Sequence, residues 1–368
     1  MSKFSARTFR AALSSLAAAM ISVFVILVLS ANADASATKF HIRAGDGEQG
    51  FAVNEFLPES ITIRTGDTVR WVFPWMEPHT VSFNYQGPPD PANVTSPVIW
   101  DGVSPINSGL IFGSPSAPPS FEVTFTQPGT YQYFCVIHPF MTGTVTVVDS
   151  GPVDTQDDLD ARGEAEYAAA IGPLKALAAQ RAAQDVQIQE KGDGTKKYTF
   201  LVGGETENGD VQQFFPAVAR IEMGDTVEWV NEGFTPHTVT FGAPPAGLPP
   251  DPFAWGRIAP SDTFDGTGFW NSGIIGQPYP DGTSFSMTFS TEGTFNYYCV
   301  LHESQGMRGT VIVGARTSPP SPPTATPHPP ATGTGISGSG GTFGNWLLLA
   351  AGAAAVAGGV LLVAARRR

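Results

Sequence analysis

The sequence predicts an all-β chain made of two tandem copies of one strand-rich domain, joined by a partly helical linker and followed by a C-terminal transmembrane helix. Three observations carry this reading. The same motifs occur twice in the same order, the runs around them alternate in the two-residue period of strands, and turn-forming residues are abundant, with 41 Gly and 32 Pro in 368 residues. Among soluble domains that composition suits a loop-rich β protein better than a helical bundle.

The repeat is direct. Thr65 to Val72 (TGDTVRWV) returns as Met223 to Val230 (MGDTVEWV), and Pro78 to Phe83 (PHTVSF) as Pro236 to Phe241 (PHTVTF). Asn107-Ser108-Gly109 returns as Asn271-Ser272-Gly273, Ser120 to Phe125 as Ser284 to Phe289, and Gly129 to Cys135 as Gly293 to Cys299. One domain has been duplicated. In the first copy, Ile61 to Ile63, Thr68 to Phe73, Thr80 to Phe83, Phe121 to Phe125, Thr130 to Phe134 and Gly143 to Val148 read as six strands, an antiparallel sandwich or barrel. Domain one is placed at 38–149 and domain two at 196–314.

Between them, residues 150–195 change character to Ala, Gln, Glu and Asp, and Ala165 to Val186 reads as a helix interrupted near Gly172-Pro173. Residues 315–345 are a stalk rich in Pro, Thr, Gly and Ser. At the start, Lys3, Arg7 and Arg10 precede an apolar run from Ala11 to Leu29 and small residues at Ala31-Asn32-Ala33, the pattern of a signal peptide over 1–33. The alternative is an uncleaved N-terminal anchor. Residues 346–365 carry no charge and reach the length of about 20 residues that crosses a bilayer. Arg366, Arg367 and Arg368 follow, so the positive-inside rule puts this basic tail in the cytoplasm and both domains outside.

A formal net charge of −13 with only 14% charged residues argues against a nucleic-acid partner, which needs a concentrated basic surface. Cysteine use is equally telling. An exported protein usually spends cysteines on disulfides, but this one has two, Cys135 and Cys299, each in the same local context of its own copy. Each Cys therefore does the same job in its own domain.

That job is readable from the neighbours. Domain one has His79 after a strand, then Cys135-Val136-Ile137-His138-Pro139-Phe140-Met141; domain two has His237, then Cys299-Val300-Leu301-His302 and, five residues on, Met307. Two imidazoles, a thiolate and a weak thioether are the donor set of a mononuclear electron-transfer copper site. The candidate metal ligands are thus His79, Cys135, His138 and Met141, and His237, Cys299, His302 and Met307. A lone Cys in a β domain is usually a small buried hydrophobe, and a lone His usually a satisfied polar residue. Their joint occurrence in both copies outweighs those readings. The two remaining histidines, His41 and His328, lack a duplicated counterpart and read as solvated.

These residues resemble the cupredoxin family, close to plastocyanin, amicyanin and pseudoazurin. His138-Pro139-Phe140-Met141 is similar to the short ligand loop of amicyanin, and Tyr297-Tyr298-Cys299 with His302 and Met307 is similar to that of plastocyanin. The resemblance implies Greek-key β-sandwiches, two mononuclear type 1 (blue) copper ions, and electron transfer through the partly exposed loop histidines, His138 and His302. The long segments from Gln86 to Pro119 and from Gly242 to Gly282 depart from a minimal member of the family.

The function expected is that of an extracytoplasmic, membrane-tethered electron carrier, not an enzyme, exchanging electrons with redox proteins, above all membrane-bound ones. Copper storage or delivery is the alternative. A multicopper oxidase or nitrite reductase fits less well: the chain has no His-x-His pair, and the residue before each Cys is Phe134 or Tyr298 rather than His. Pro329-Pro330-Ala331-Thr332-Gly333, ahead of the apolar span and three Arg, is similar to a sortase signal with Pro in place of Leu. A sortase is thus a further possible partner, the alternative being a retained anchor.

Overall fold

The computed structural model describes residues 37–88 and 92–316. The signal peptide, the stalk from residue 317 onward, the apolar span at 346–365 and the basic tail lie outside the described residues. Among the described residues no helix is long and apolar enough to cross a membrane.

Domain one runs through β1 (Lys39–Glu48), β2 (Phe51–Leu57), β3 (Ser60–Arg64), β4 (Thr68–Val72), β5 (Pro78–His79) and β6 (Ser82–Phe83). It continues with β7 (Val98–Trp100), β8 (Ile106–Asn107), β9 (Ile111–Phe112), β10 (Ser120–Phe125), β11 (Gly129–Phe134) and β12 (Thr142–Val148). After helix α1 (Gln156–Ala182), domain two opens with β13 (Gln187–Glu190), β14 (Lys196–Val202), β15 (Glu205–Thr206), β16 (Gly209–Val211), β17 (Phe214–Phe215), β18 (Val218–Glu222) and β19 (Thr226–Val230). It closes with β20 (Thr240–Phe241), β21 (Arg257–Ile258), β22 (Thr263–Phe264), β23 (Trp270–Ser272), β24 (Ser284–Phe289), β25 (Gly293–Tyr298) and β26 (Arg308–Gly314).

Each domain is a two-sheet sandwich. In domain one, β2-β1-β4-β10-β7 faces β3-β12-β11-β6-β8; in domain two, β13-β14-β19-β24-β22 faces β18-β26-β25-β20-β23-β21. Burial alternates along β10 and β12, as the pleat requires, so one face of each strand meets the other sheet. Trp71, Tyr133, Phe56 and Phe83 fill one core, and Trp229, Tyr297, Phe214 and Phe241 the other. The sheets are mixed rather than purely antiparallel. β1 runs parallel to β4, and β3 parallel to β12, because the chain crosses to the opposite sheet before returning.

Two local expectations are corrected. Thr80 to Phe83 is not one strand: Thr80 and Val81 lie between β5 and β6. Their amides leave the ladder, Thr80 N donating to Sγ of Cys135 at 3.3 Å and Val81 N to Oγ of Ser108 at 2.8 Å. The linker helix starts at Gln156, well before Ala165, and runs unbroken through Gly172-Pro173. Thr155 caps it through a reciprocal box with Asp158, which satisfies the free amides of the first turn.

The helix is also more than a spacer. Its buried face, Ala170, Ile171, Leu174 and Ala178, meets Val53 and Leu57 of domain one and Val211 and Phe215 of domain two in a third apolar cluster. Truncating a fully buried Leu such as Leu174 costs about 2–5 kcal/mol. Beside this cluster β16 adds to the free edge of β2, pairing Gly209 with Val53 and Val211 with Phe51. One sheet therefore runs through both domains.

Candidate metal centres

The local fold of each centre follows from its two chain segments. In domain one β11 ends at Phe134, and the loop after it closes on itself: Cys135 N donates to Met141 O and Met141 N to His138 O, both at 3.0 Å. The longer loop of domain two closes in the same way, with Cys299 N to Met307 O at 3.1 Å and Met307 N to His302 O at 3.0 Å. The extra residues form a turn in which Gln305 N donates to His302 O at 3.1 Å. Both loops thus return the Met to the Cys despite their different lengths.

Across from each loop stands the upstream histidine. Nδ1 of His79 lies 3.1 Å from Nδ1 of His138, which lies 3.5 Å from Sγ of Cys135. In domain two the corresponding distances are 3.1 Å for His237 to His302 and 3.5 Å for His302 to Sγ of Cys299. Sγ of Cys299 stands 3.9 Å from Nδ1 of His237. A trigonal ion with bonds of about 2.0–2.3 Å needs donors about 3.5–4 Å apart, so these groups fit a small transition-metal ion with little movement. Met141 and Met307 are buried in the same cores as Cys135 and Cys299.

Electrostatics suits the same purpose. Burial pushes His79 and His237 well below the ordinary histidine value, with the neighbouring imidazole adding to the effect. Burial also takes His138 to about 4 and His302 to about 3. All four rings are therefore neutral and offer lone pairs. Burial raises both Cys thiols, and the Thr80 and Thr238 amides aimed at the sulfurs partly offset this. A metal ion bound at these thiols would displace a proton.

A support shell that sequence reasoning passed over braces the segments that follow the upstream histidines. Oγ1 of Thr80 accepts from Val136 N at 2.8 Å, and Oγ of Ser82 donates to Oδ1 of Asn107 at 3.1 Å. Thr238, Thr240 and Asn271 repeat this in domain two. The signal was present in the duplicated Asn-Ser-Gly, whose Ser108 and Ser272 receive the amides of Val81 and Val239 at 2.8 Å. Gly45 and Gly203 give the imidazoles room: at φ of +72° and +64°, an added Cβ would lie 2.1 Å from Nε2 of His79 and 2.3 Å from Nε2 of His237. His41 is exposed and stands apart from both clusters, and His328 lies outside the described residues.

One expectation is overturned. The loop histidines are not both partly exposed: His138 is half-buried, but His302 is 3% exposed. Nε2 of His302 faces Oε2 of Glu77, a domain-one residue, at 3.6 Å. Glu77 in turn accepts from Nε2 of Gln212 at 3.0 Å.

Two β-sandwiches, each closing two neutral imidazoles on one buried thiol beside a buried thioether, define a class of small metal-binding domain. Residues 46–148 and 201–314 match the model of the copper binding proteins, plastocyanin/azurin family. The chain belongs to that family, with two copies of its domain. It is 32% identical over 142 residues to plastocyanin of Prochlorothrix hollandica, covering 39% of this chain and 82% of the relative. It is 31% identical over 104 residues to amicyanin-alpha of Methylorubrum extorquens, covering 28% of this chain and 73% of the relative. A solved mutant plastocyanin of fern aligns at 25% identity and a TM-score of 0.21, over 32% of this chain and 99% of that one.

Proposed function

We propose that the chain is an extracytoplasmic, membrane-tethered electron-transfer protein carrying two mononuclear type 1 copper ions. His79, Cys135, His138 and Met141 would hold one ion, and His237, Cys299, His302 and Met307 the other. The observation that carries this reading is the convergence of two imidazoles and one thiolate in each domain, their donor atoms within 4.8 Å of one another. A bound copper ion supplies one-electron chemistry, Cu(I) to Cu(II).

The residues do the rest. Backbone bonds across each loop hold Cys, His and Met at fixed separations, so a change of charge meets little reorganisation. The Thr80 and Thr238 amides stabilise thiolate charge. The walls are apolar and keep water from the sulfurs. Leftover histidines are too few for a second, catalytic copper centre, which favours a carrier over an enzyme. Tethering rests on the sequence segments at 1–33 and 346–368, and makes membrane-bound redox proteins the natural donors and acceptors.

Copper analysis of the full chain tests the proposal. Two ions per chain and an intense thiolate-to-copper absorption are expected, cycling reversibly without metal loss. Cys135→Ser and Cys299→Ser should each remove one ion and half of the colour. Full colour in both variants, or release of copper on each reduction, would sink the carrier reading.

A further inference from the structure

Duplication makes the two centres each other's control, and they differ at the outer edge of the loop histidine. His138 is half-buried and is followed by exposed Pro139 and by Phe140, 71% exposed. The equivalent edge of His302 is covered by domain one. The β1–β2 turn reaches the second ligand loop, where Gly50 N donates to Gln305 O at 2.9 Å. Gln49 packs so closely there that a Cβ on Gly306 would meet its Nε2 at 2.8 Å. Glu77 fills the remaining space, buried, with Oε2 held by Gln212 and facing His302. The matching position in domain two is Thr235, whose amide donates to Glu205 of its own domain and which faces no such histidine among the described residues.

Glu77 also stands two residues before His79. The chain Glu77-Pro78-His79 therefore carries a ligand of the first centre at one end and a group facing a ligand of the second at the other. From His302 the connection crosses one 3.6 Å gap and then follows covalent bonds to His79.

We propose that Glu77 couples the two centres in series, sealing the second from outside partners and leaving His138 as the port through which both exchange electrons. This rests on the copper reading above. One electron enters at the His138 edge from a one-electron donor protein. It then passes to the second centre through the His79–Glu77–His302 connection, so one centre is reoxidised as the other is reduced. No proton or further reactant is needed. Glu77 acts as a positioning residue, holding the His302 ring against the first domain.

The test has two arms. In the first, the metal-free full chain is treated with diethylpyrocarbonate and its histidines are followed by peptide mass spectrometry. His302 should react at least about tenfold more slowly than His138, since a buried group is labelled only when its cover opens. Equal rates would overturn the seal, whatever the metal. In the second, the copper-loaded chain is mixed with a reduced haem protein, and bleaching of the thiolate-to-copper band is timed. Cys299→Ser, with the first centre alone, should bleach at least about tenfold faster than Cys135→Ser, with the second alone. The intact chain should bleach in a donor-dependent phase followed by one independent of donor concentration. Glu77→Ala should slow that second phase by about tenfold or more, as expected when a connecting group is misplaced by about an ångström, and Glu77→Gln should largely restore it. A second phase that scales with donor, or one that ignores Glu77→Ala, overturns the series arrangement. Absence of any coloured copper would instead refute the copper reading and leave the labelling result standing.

Discussion

The backbone amide of Thr80 donates to Sγ of Cys135 at 3.3 Å, and Thr238 repeats the contact with Cys299 at the same distance. The residue after the upstream histidine is thus fixed to the cysteine sulfur of the other chain segment. Its side chain completes the clamp, since Oγ1 of Thr80 accepts the amide of Val136, the residue after Cys135. Two chain segments far apart in sequence are stitched together around one candidate ligand set.

This clamp predicts the effect of Thr80→Val. The shape is kept, but the half-buried Val136 amide loses its acceptor, a penalty of about 1 kcal/mol. Urea unfolding should show that loss, with the colour of the first centre broadened or shifted while that of the second is unchanged. No change in either stability or spectrum would show that the clamp is idle.

Gly45→Ala and Gly203→Ala should act on one metal each. The added methyl enters the space of the His79 or His237 ring, at a backbone conformation that L side chains rarely adopt. Copper should fall to about one ion per chain in each variant, with the other centre's absorption intact. Full occupancy in both variants would mean the rings can retreat and still bind.

Burial raises Asp210, on β16, to about 7, and Glu205 adds to the rise while Asn54 and Gln212 oppose it. Glu77, nearby, is also raised, to about 8, by burial and by Asp210. The sign follows directly. A carboxyl group with a raised folded-state value favours the fold in its protonated form, so its contribution is full below about pH 4 and is lost as pH rises through about 7. The melting temperature of the metal-free chain should therefore fall between about pH 5 and pH 8, and Asp210→Asn should flatten that fall. The recovered stability is at most on the order of 4 kcal/mol. An unchanged slope in Asp210→Asn would place the pH dependence elsewhere.

The sequence by itself determined the duplicated strand-rich domain and the grouping of Cys, His and Met on one loop in each copy. These are local properties: strand alternation has a two-residue period, and ligands on a loop of a few residues cannot be far apart. His79 and His237 were legible only because the repeat singled them out, and their approach to the loop needed the pairing of β6 with β11 and of β20 with β25. Tertiary structure alone decided how the domains are joined. Pro173 looked like a helix break in isolation, yet the helix continues because Ile171 and Leu174 are buried between the domains. Glu77, Gln212 and Gly50 are ordinary residue types with no local pattern, and their partners lie far away along the chain. Only the addition of β16 to β2 brings them together over His302, which is why one histidine of an equivalent pair is closed and the other open.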